Sequence, residues 1–354
     1  MRHELNMSNI KIWNHINNYQ AWESYISSHS LVQPYHHPDW LNLLEAVYGF
    51  STAHIISLDD NGEIIGLLPT FYGRSLNGRL KIRSIPFSHF SPPLANSAAI
   101  TAELLDGLEK QARQLKADTI VINAPLSVHN STGWRELGGR WESILHLQNR
   151  NNTKKMASSC LRNARKAQRN GIVIRQCFSE EEYEHFKKLM VITRRRQGAP
   201  PYPAKLYPAL QQLTLARLYM AFKDDVSVAG IILLVWQDKA IYMYGASSDS
   251  GRSYGANDLL FLTLIDSLTQ EGLKQLNFGA TPERQADLLR FKNKWGCISS
   301  PLAYSINYLG SKQQDLQDII DTRAEEMLGI VINHTPAFFL QWLGNRFFRY
   351  LGWY

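Results

Sequence analysis

Residues 218–244 read LYMAFKDDVSVAGIILLVWQDKAIYMY, and the fold that we predict for the second half of the chain rests on them. Leu218–Phe222 and Val228–Trp236 are rich in apolar, β-branched and aromatic residues, which favour strands. Lys223-Asp224-Asp225 lies between them and is typical of a tight turn. Ala240–Tyr244 has the pattern of a third strand. The stretch therefore predicts a β-hairpin followed by another strand.

The two halves of the chain present the same order of elements. In the second half a helical pattern at Leu259–Thr269 and a strand at Gln275–Phe278 follow the hairpin. The corresponding elements of the first half are strands at Ala53–Leu58 and Ile64–Phe71, a turn at Asp59–Gly62, a helix at Leu104–Leu115 and a strand at Thr119–Asn123. This repetition predicts tandem α/β domains of like fold. An α/β protein without a true repeat is the alternative.

The length of the chain also favours two domains, because a single core stops growing near ~250–300 residues and this chain has 354. We place an N-terminal domain at residues 8–150, a C-terminal domain at 151–310 and a tail at 311–354. The polar run Asn149–Thr153 marks the break. The expected fold class is α/β (α+β), with mixed sheets flanked by helices and a helical, aromatic tail.

The composition is typical of an ordered globular protein, with 44% hydrophobic and 19% charged residues. Met1–Lys11 lacks the apolar core of a signal peptide, and apolar stretches such as Gly230–Trp236 are too short to cross a bilayer. The three scattered cysteines, Cys160, Cys177 and Cys297, have neither a disulfide pattern nor metal-ligand spacing. We therefore expect a cytoplasmic protein without a metal site.

The positive charge is concentrated in the second half. Residues 1–150 carry 12 Lys/Arg and 13 Asp/Glu, whereas residues 151–354 carry 26 and 18. Within the second half, Lys154–Arg169 predicts an amphipathic helix with a basic face. The opposite, narrow face carries Met156, Cys160, Ala164 and Ala167. The basic face either binds tRNA backbone or other phosphates through salt-sensitive contacts, or is simply a solvated charged surface.

The C-terminal tail is unusually aromatic. Eight of the 17 residues from Phe338 to Tyr354 are Phe, Trp or Tyr, and Arg346 and Arg349 lie among them. The segment is too short to span a membrane, but its composition suits a bilayer interface. Docking on the protein's own surface and docking on another subunit are equally compatible with the pattern.

The chain lacks the G-x-S-x-G, H-E-x-x-H, C-x-x-C and Walker motifs, which disfavours hydrolases, zinc peptidases and nucleotide kinases. The candidate chemistry lies in the second half. Gly245-Ala246-Ser247 follows the strand Ala240–Tyr244, and the run 252–257, RSYGAN, opens the next helix. A glycine-containing loop at a helix start offers backbone N–H groups and the positive end of the helix dipole to a pyrophosphate.

Two further runs stand out. Thr193–Gln197, TRRRQ, precedes Pro200–Pro203, PPYP, and Phe278–Thr281, FGAT, precedes Phe291–Gly296, FKNKWG. Guanidinium groups suit bidentate contacts to phosphate or carboxylate. Three consecutive arginines cannot all point one way, however, so at most two face a site. Surface arginines at a helix end are the alternative.

These runs resemble the FemAB/BioF2-like group of GNAT acyltransferases, and especially the FemAB-type proteins associated with exosortase and exopolysaccharide systems. The similar motifs are, in order, HPDWL at 37–41, TRRRQ, PPYP, YGAS at 244–247, FGAT and FKNKWG. They extend over most of the chain and leave out the tail after Gly310. The resemblance implies two GNAT-like domains around a cleft and transfer of an acyl or aminoacyl group to an amine.

The resemblance also implies roles for individual residues. Lys292 is implicated in catalysis, and we expect its cation to stabilise the oxyanion of the tetrahedral intermediate. Arg194 or Arg195 is expected to bind substrate phosphate. Substrate binding is further expected of Phe291, Trp295 and Ser247. Tyr244 and Asp287 are candidates for a base or a positioning group, although an Asp near a helix start is more often a cap.

The run 252–257 resembles the R/Q-x-x-G-x-G/A loop with which GNAT enzymes hold coenzyme A. Arg252 and Gly255 fit that pattern, but Asn257 occupies its last position. We therefore expect no permanently bound cofactor, with acyl-CoA or aminoacyl-tRNA as the donor substrate. The long coiled-coil insertion of some peptidoglycan members is missing, which disfavours the tRNA donor.

The expected acceptor is an amine on a cell-envelope, peptidoglycan or exopolysaccharide precursor. This implies a cytoplasmic protein with a peripheral position at the inner face of the membrane, through the tail Phe338–Tyr354. Two other hypotheses remain open. One is a catalytically degenerate GNAT fold that binds a phosphorylated sugar or lipid precursor. The other is a tRNA- or DNA-binding module, which steep salt dependence of binding would indicate.

Overall fold

The computed structural model describes residues 10–13, 15, 18–126, 133–147, 156–310 and 337–353. The chain divides into two compact units. One comprises Met1–Gly138, Leu302–Asp315 and Arg349–Tyr354, and the other comprises Gly139–Pro301 and Leu316–Phe348. The chain passes between the units inside the strand Trp134–His146 and again inside the strand Ile298–Tyr308.

This division differs from the domain limits that we drew at residues 150 and 310. The first crossing lies inside a strand, where the sequence shows no break in composition. The polar run 149–153, on which the earlier limit was based, lies outside the described residues. The return of residues 302–310 to the first unit depends on the pairing of Ser305–Tyr308 with Thr119–Ile122, which a local pattern does not report.

The first unit contains a mixed set of strands and three helices within its described residues. Its elements are β1 (Ile10–Trp13), α1 (Tyr19–Ser28), α2 (Pro38–Tyr48), β2 (Ser51–Thr52), β3 (His54–Leu58), β4 (Ile64–Leu68), β5 (Thr70–Arg74), β6 (Leu80–Ser84), β7 (Leu94–Ala95), α3 (Ala98–Gln114) and β8 (Thr119–Ile122). One sheet has the order β1-β3-β4-β7, and β8-β6-β5-β2 form a second set. The strands β6 and β8 are parallel.

The hairpin and helix expected in this unit are confirmed. β3 and β4 pair antiparallel, and Gly62 in their turn has a φ of +83°. α3 begins at Ala98, six residues before the predicted start at Leu104, because Ser97 caps its N-terminus by accepting the Ile100 N–H. Its buried face packs against β3 and β4. The mixed α/β class is thus confirmed in this half.

The second unit repeats this order on a larger scale. Its elements are the second part of β9 (Trp134–His146), α4 (Ser158–Arg169), β10 (Val173–Cys177), α5 (Glu180–Arg196), α6 (Leu206–Gln212), β11 (Ala216–Lys223), β12 (Val226–Trp236), β13 (Lys239–Ser247), α7 (Asp249–Tyr254), α8 (Ala256–Gln270), β14 (Gln275–Pro282), α9 (Ala286–Asn293), the start of β15 (Ile298–Tyr308) and most of α10 (Ala337–Leu351). The strand order is β10-β11-β12-β13-β14-β9. Only the β13–β14 pair in this order is parallel.

The predicted basic helix is α4, and its apolar face is the one expected. Cys160, Ala164 and Ala167 are buried in a core shared with α8, against which α4 packs. Small side chains on this face allow the two helices to approach closely. Lys154 and Lys155, the first residues of the predicted helix, lie outside the described residues.

The aromatic tail forms a helix, α10, in the part that is described. Residues 311–336 and Tyr354 lie outside the described residues. Across the described ranges, no helix has the length and apolar character needed to cross a membrane.

Candidate active site

A cleft opens between the parallel strands β13 and β14. They pair only at Lys239–Ile241 with Gln275–Asn277. Beyond this point, β13 pairs with β12 up to Ser247, and β14 pairs with β9 up to Pro282. The two neighbours therefore part after three residues of pairing, and we call the space between them the β13–β14 cleft.

Both walls of this cleft are irregular. In β13, Tyr242 and Tyr244 face consecutive residues of β12, so Met243 is an extra residue in a β-bulge. In β14, the register with β9 shifts between Asn277 and Ala280, and Gly279 has a φ of +77°. Bulges redirect side chains and end regular pairing, and they are common beside active sites.

A helix start lies at the end of β13. α7 ends and α8 begins at Gly255, which has a φ of +80°. A Cβ at this position would lie 2.7 Å from the carbonyl oxygen of Asn163 on α4, so only glycine fits the junction. In the first turn of α8 the N–H groups of Asp258 and Leu259 donate to the Gly255 carbonyl oxygen, which leaves those of Ala256 and Asn257 at the helix start, where the helix dipole is positive. This is the geometry of an anion site.

The predicted cofactor residues surround this helix start. The side chain of Arg252 is half exposed and lies 3.6 Å from the Asp249 carboxylate. The Asn257 Nδ2 is 3.5 Å from the Ser247 Oγ at the end of β13. The structure thus brings together Asn257, where the loop departs from the family pattern, and Ser247, expected to bind substrate.

The three consecutive arginines form the last turn of α5, whose first turn is acidic, so both ends complement the helix dipole. Arg196, which we did not select from the sequence, is the one that donates to Ser247, with Nη1 3.2 Å from its carbonyl oxygen. Arg194 donates from Nε to the Pro200 carbonyl oxygen at 3.0 Å. Arg195 is exposed.

Arg194 also takes part in an aromatic cluster. Its guanidinium lies 5.0 Å from the ring centre of Tyr202 and 6.0 Å from that of Phe348 on α10. The Tyr202 ring packs edge-to-face on Tyr244 of β13, with centroids 4.9 Å apart. The PPYP run therefore connects Arg194 to the β13 wall of the cleft through aromatic and cation–π contacts.

Lys292 lies on the β14 side. Its side chain is 4% exposed, and Nζ donates to the carbonyl oxygens of Gly279 at 2.8 Å and Ala280 at 3.2 Å, the residues of the β14 bulge. Burial lowers the pKa of Lys292 to about 8, although the nearby Cys297 and Glu142 oppose the shift. A lysine with this pKa is mostly charged at neutral pH and neutral above pH 9.

Glu142 is the residue of this region that sequence reasoning missed. It lies on β9 opposite Ala280, and its Oε1 accepts a 2.8 Å hydrogen bond from the Asn277 Nδ2. The Asn277 Oδ1 in turn accepts the Gly279 N–H at 2.8 Å. A carboxylate is thus fixed beside the bulge that holds Lys292. No motif surrounds Glu142 in the sequence, and only the β9–β14 register reveals it.

The side chains of the other predicted site residues are either exposed or packed in the core. Asp287 is exposed in the first turn of α9 and forms an ion pair with Arg290. Phe291 is half-buried against the core, with its ring 5.7 Å from that of Phe261. Trp295 is fully buried in the same core. Core packing explains the positions of Phe291 and Trp295. Separately, the described residues contain no cluster of three or more metal-ligating side chains.

Comparison with known proteins identifies a domain family in the second half of the chain. Residues 154–293 match the family model of the acetyltransferase (GNAT) domain. A search of curated protein sequences finds no significant match. The matched segment covers α4, the β10–β14 sheet and α9, and therefore both walls of the β13–β14 cleft and Lys292.

Solved structures show the same fold over most of the chain. The crystal structure of FemX superposes with a TM-score of 0.69 at 16% identity, covering 88% of this chain and 99% of FemX. The C-terminal domain of a putative lysylphosphatidylglycerol synthetase from Agrobacterium fabrum gives 0.59 at 15% identity, covering 90% and 98%. A tandem GNAT protein from the clavulanic acid biosynthesis pathway gives 0.53 at 9% identity, covering 86% and 100%.

At these identities the structural likeness concerns the fold, and the family model supplies the domain assignment. The expectation of two GNAT-like units is confirmed. Residues 154–293 match the acetyltransferase (GNAT) domain family, and the chain shares the fold of FemX, which agrees with the resemblance to FemAB-like GNAT acyltransferases.

Proposed function

We propose that the protein transfers an acyl or aminoacyl group from an activated donor to an amine, with the β13–β14 cleft as the donor site. The observation that carries this proposal is the parting of β13 and β14 next to the N-terminus of α8. An extended acyl or pantetheine chain can pair with backbone groups in such a gap. The donor's phosphates would then bind the backbone N–H groups at the start of α8, next to Gly255.

An acyl-CoA is the donor that this arrangement favours. Arg252 and the N–H groups at the start of α8 supply positive charge for a pyrophosphate. Asn257 leaves room for it because its side chain is directed toward the Ser247 Oγ. An aminoacyl-tRNA is the second candidate donor. The observation that favours it is the row of exposed arginines on α4, Arg162, Arg165 and Arg169.

In the proposed reaction, the acceptor amine attacks the donor carbonyl carbon. A C–N bond forms, and the carbonyl oxygen becomes an oxyanion. The amine proton passes to a base, the thiolate or alkoxide leaves, and it takes up a proton. Glu142, held by Asn277, is our candidate for the base or its orienting group. Charged Lys292 stabilises the oxyanion or holds the β14 bulge in the shape that does so.

Replacing Lys292 tests this role. Lys292→Met removes the cation but keeps an unbranched side chain of similar length, so we expect transfer to fall by about 10²–10³. Donor binding should change little, because the phosphate site at Gly255 lies on another element. The loss of two buried hydrogen bonds should cost about 1–3 kcal/mol in unfolding free energy, which thermal unfolding checks. Near-normal turnover in this variant would exclude Lys292 from the mechanism.

A donor screen tests the function itself. Purified protein is offered acetyl-CoA, longer acyl-CoAs and a charged-tRNA mixture, and binding, hydrolysis and transfer to amines are followed by mass spectrometry. Saturable CoA-thioester binding that Arg252→Gln weakens supports the cleft as the donor site. If the protein binds charged tRNA and none of the CoA thioesters, the donor is an aminoacyl-tRNA.

A binding protein without catalysis is the second candidate function. The observation in its favour is that Lys292 is buried and already donates to two backbone carbonyls, as a structural lysine does. Such a protein would bind a phosphorylated sugar or lipid precursor through the same positive helix start. Binding without transfer or hydrolysis, for every donor and amine supplied, would select this function.

We further propose an amine-bearing precursor of the cell envelope or an exopolysaccharide as the acceptor. A position in the cytoplasm at the inner membrane face, with peripheral contact through the tail, suits a precursor of this kind. Recovery of the protein with washed membranes, and its release by salt, tests the location. Transfer to extracted precursors tests the acceptor.

A further inference from the structure

One face of α10 is docked on the second unit. Leu340, Gly344 and Phe348 recur at four-residue spacing and are buried. A Cβ at Gly344 would lie 2.2 Å from the carbonyl oxygen of Pro201, so the helix backbone lies directly on the PPYP run. The Gln341 Nε2 donates to the Tyr202 carbonyl oxygen at 3.0 Å. The orientation of the helix is therefore fixed.

The opposite face presents aromatic and basic side chains to solvent. Phe339, Trp342, Arg346 and Arg349 recur at spacings of three, four and three residues and are all exposed. The exposed fractions are 43% for Phe339 and 53% for Trp342, and their rings stack with centroids 5.4 Å apart. Phe347, 41% exposed, borders this face. We call these five residues the outer face of α10.

The fold does not need this outer face, because Leu340, Gly344 and Phe348 hold the helix in place. Exposed apolar residues rimmed by basic ones mark an interaction surface. Residues 337–354 contain two arginines and no acidic residue. Trp and Phe are the side chains that enter the boundary between lipid headgroups and acyl chains. Arg346 and Arg349 suit lipid phosphates.

We propose that the outer face of α10 binds the surface of an anionic phospholipid bilayer, with the helix lying in the plane of the interface. This proposal specifies how the protein would contact the inner membrane face, and it rests on the location proposed above. Fifteen helical residues extend about 22 Å, enough to lie along a bilayer surface. Trp342 and Phe339 enter the headgroup region, and the two arginines pair with lipid phosphates.

Charge complementarity selects a bilayer over a second copy of this chain. A two-fold contact places the same face on both partners, so Arg346 and Arg349 would meet a face that carries two arginines and no carboxylate. An anionic bilayer supplies a negative surface potential, worth about fivefold in binding for each nearby arginine.

Vesicle cosedimentation of the full chain tests the proposal. Vesicles of phosphatidylcholine with 30% phosphatidylglycerol are compared with pure phosphatidylcholine, at about 0.1 M salt. The wild type should bind the anionic vesicles preferentially. The double variant Phe339→Ser and Trp342→Ser should bind them at least about tenfold more weakly. Arg346→Gln should lose about fivefold on anionic vesicles and almost nothing on neutral ones.

A matched control distinguishes binding through the outer face of α10 from nonspecific binding through any exposed aromatic side chain. Phe178→Ser removes an aromatic side chain that is 68% exposed elsewhere on the second unit, and it should bind vesicles like the wild type. All variants should keep their thermal midpoints, because the altered side chains are exposed. Wild-type protein that does not bind anionic vesicles, or a double variant that binds them unchanged, overturns the proposal. So does a wild-type dimer that the double variant converts to a monomer.

Vesicle binding requires no acyl donor, so failure to find a donor leaves this result standing. Conversely, the double variant should transfer to a soluble amine at the wild-type rate once a donor is known. If the double variant no longer binds vesicles but still transfers at the wild-type rate, the outer face of α10 acts in membrane binding and not in catalysis.

Discussion

At the scale of the residue, the charge state of Lys292 predicts the pH dependence of transfer. Burial places its pKa at about 8, so a cation that stabilises an oxyanion is lost as the pH rises past 8. We expect the wild-type rate to rise with pH as the acceptor amine loses its proton and then to fall above about pH 8. In Lys292→Met the residual rate should lack the falling limb. Initial rates between pH 6 and 10 measure both profiles.

The opposite role for Lys292 gives a different curve. If its neutral amine were the base, the wild-type rate would keep rising through pH 8 and level off above it. Glu142→Gln provides the control, because it removes the neighbouring carboxylate but can keep the hydrogen bond from Asn277. We expect it to lower the rate by about 10²-fold or more, and the falling limb should remain but begin at a lower pH, because the Glu142 carboxylate raises the pKa of Lys292. An unchanged rate would exclude Glu142 as the base.

At the scale of the element, the junction of α7 and α8 depends on Gly255. An alanine there has an unfavourable left-handed conformation, at about 1–2 kcal/mol, and its Cβ meets the Asn163 carbonyl oxygen at 2.7 Å. Gly272 provides a matched control, since it has a φ of +84° and nothing within 4 Å of an added Cβ. We expect thermal unfolding to show a clearly larger loss for Gly255→Ala than for Gly272→Ala. Equal losses of thermal stability in the two variants would show that α4 can shift away from a Cβ at residue 255 at little cost in free energy.

The exposed face of α4 makes a prediction about salt. If a tRNA donor lies on Arg162 and Arg165, replacing both by Gln should lower the slope of log affinity against log salt by about two. Lys166 is left unchanged because its Nζ donates to the Ser253 carbonyl oxygen at 2.8 Å. A double variant at the exposed Lys110 and Lys188 removes the same charge from other surfaces and should leave the slope unchanged. Equal slopes in the two double variants would exclude α4 from donor binding.

These elements also show what a sequence can predict. The buried face of α4 followed from helical periodicity, and the β11–β12 hairpin from its turn, because both are local properties of the chain. The β13–β14 cleft depends on a register that ends after three residues and on two bulges, and no local pattern encodes these. Glu142 and Arg196 were missed for the same reason. Trp295, selected as part of a motif, is a core residue.

At the scale of the whole molecule, the passage of the chain between units inside β9 and β15 was not predictable. Strands that contribute to two units have no linker composition at the crossing, so the polar run 149–153 was the strongest available signal. The motif resemblance, in contrast, predicted the tandem GNAT-like fold, because the motifs are widely spaced and occur in a fixed order. The order of the motifs along the chain thus predicted the fold, whereas local composition did not predict where the units are divided.

The stability of the molecule should fall in mild acid because of a buried histidine pair. His54 is fully buried; its Nε2 lies 3.0 Å from the Nδ1 of His15, and its Nδ1 accepts the Thr70 N–H. Burial holds the pKa of His54 well below 6.5, and the pKa of His15 is also lowered by burial. Below pH 6.5 the unfolded chain therefore takes up protons that the folded chain does not, and stability decreases as the pH falls.

At pH 5.5 the stability should be lower than at pH 7.5 by on the order of 1 kcal/mol because of His54, and His15 adds to the loss. Urea unfolding at the two pH values measures this difference. His54→Gln lowers stability at both pH values but should reduce the difference between them, because Gln does not titrate. Equal wild-type free energies of unfolding at pH 5.5 and 7.5 would contradict the prediction, because the folded protein would then bind protons at His54 as readily as the unfolded chain does.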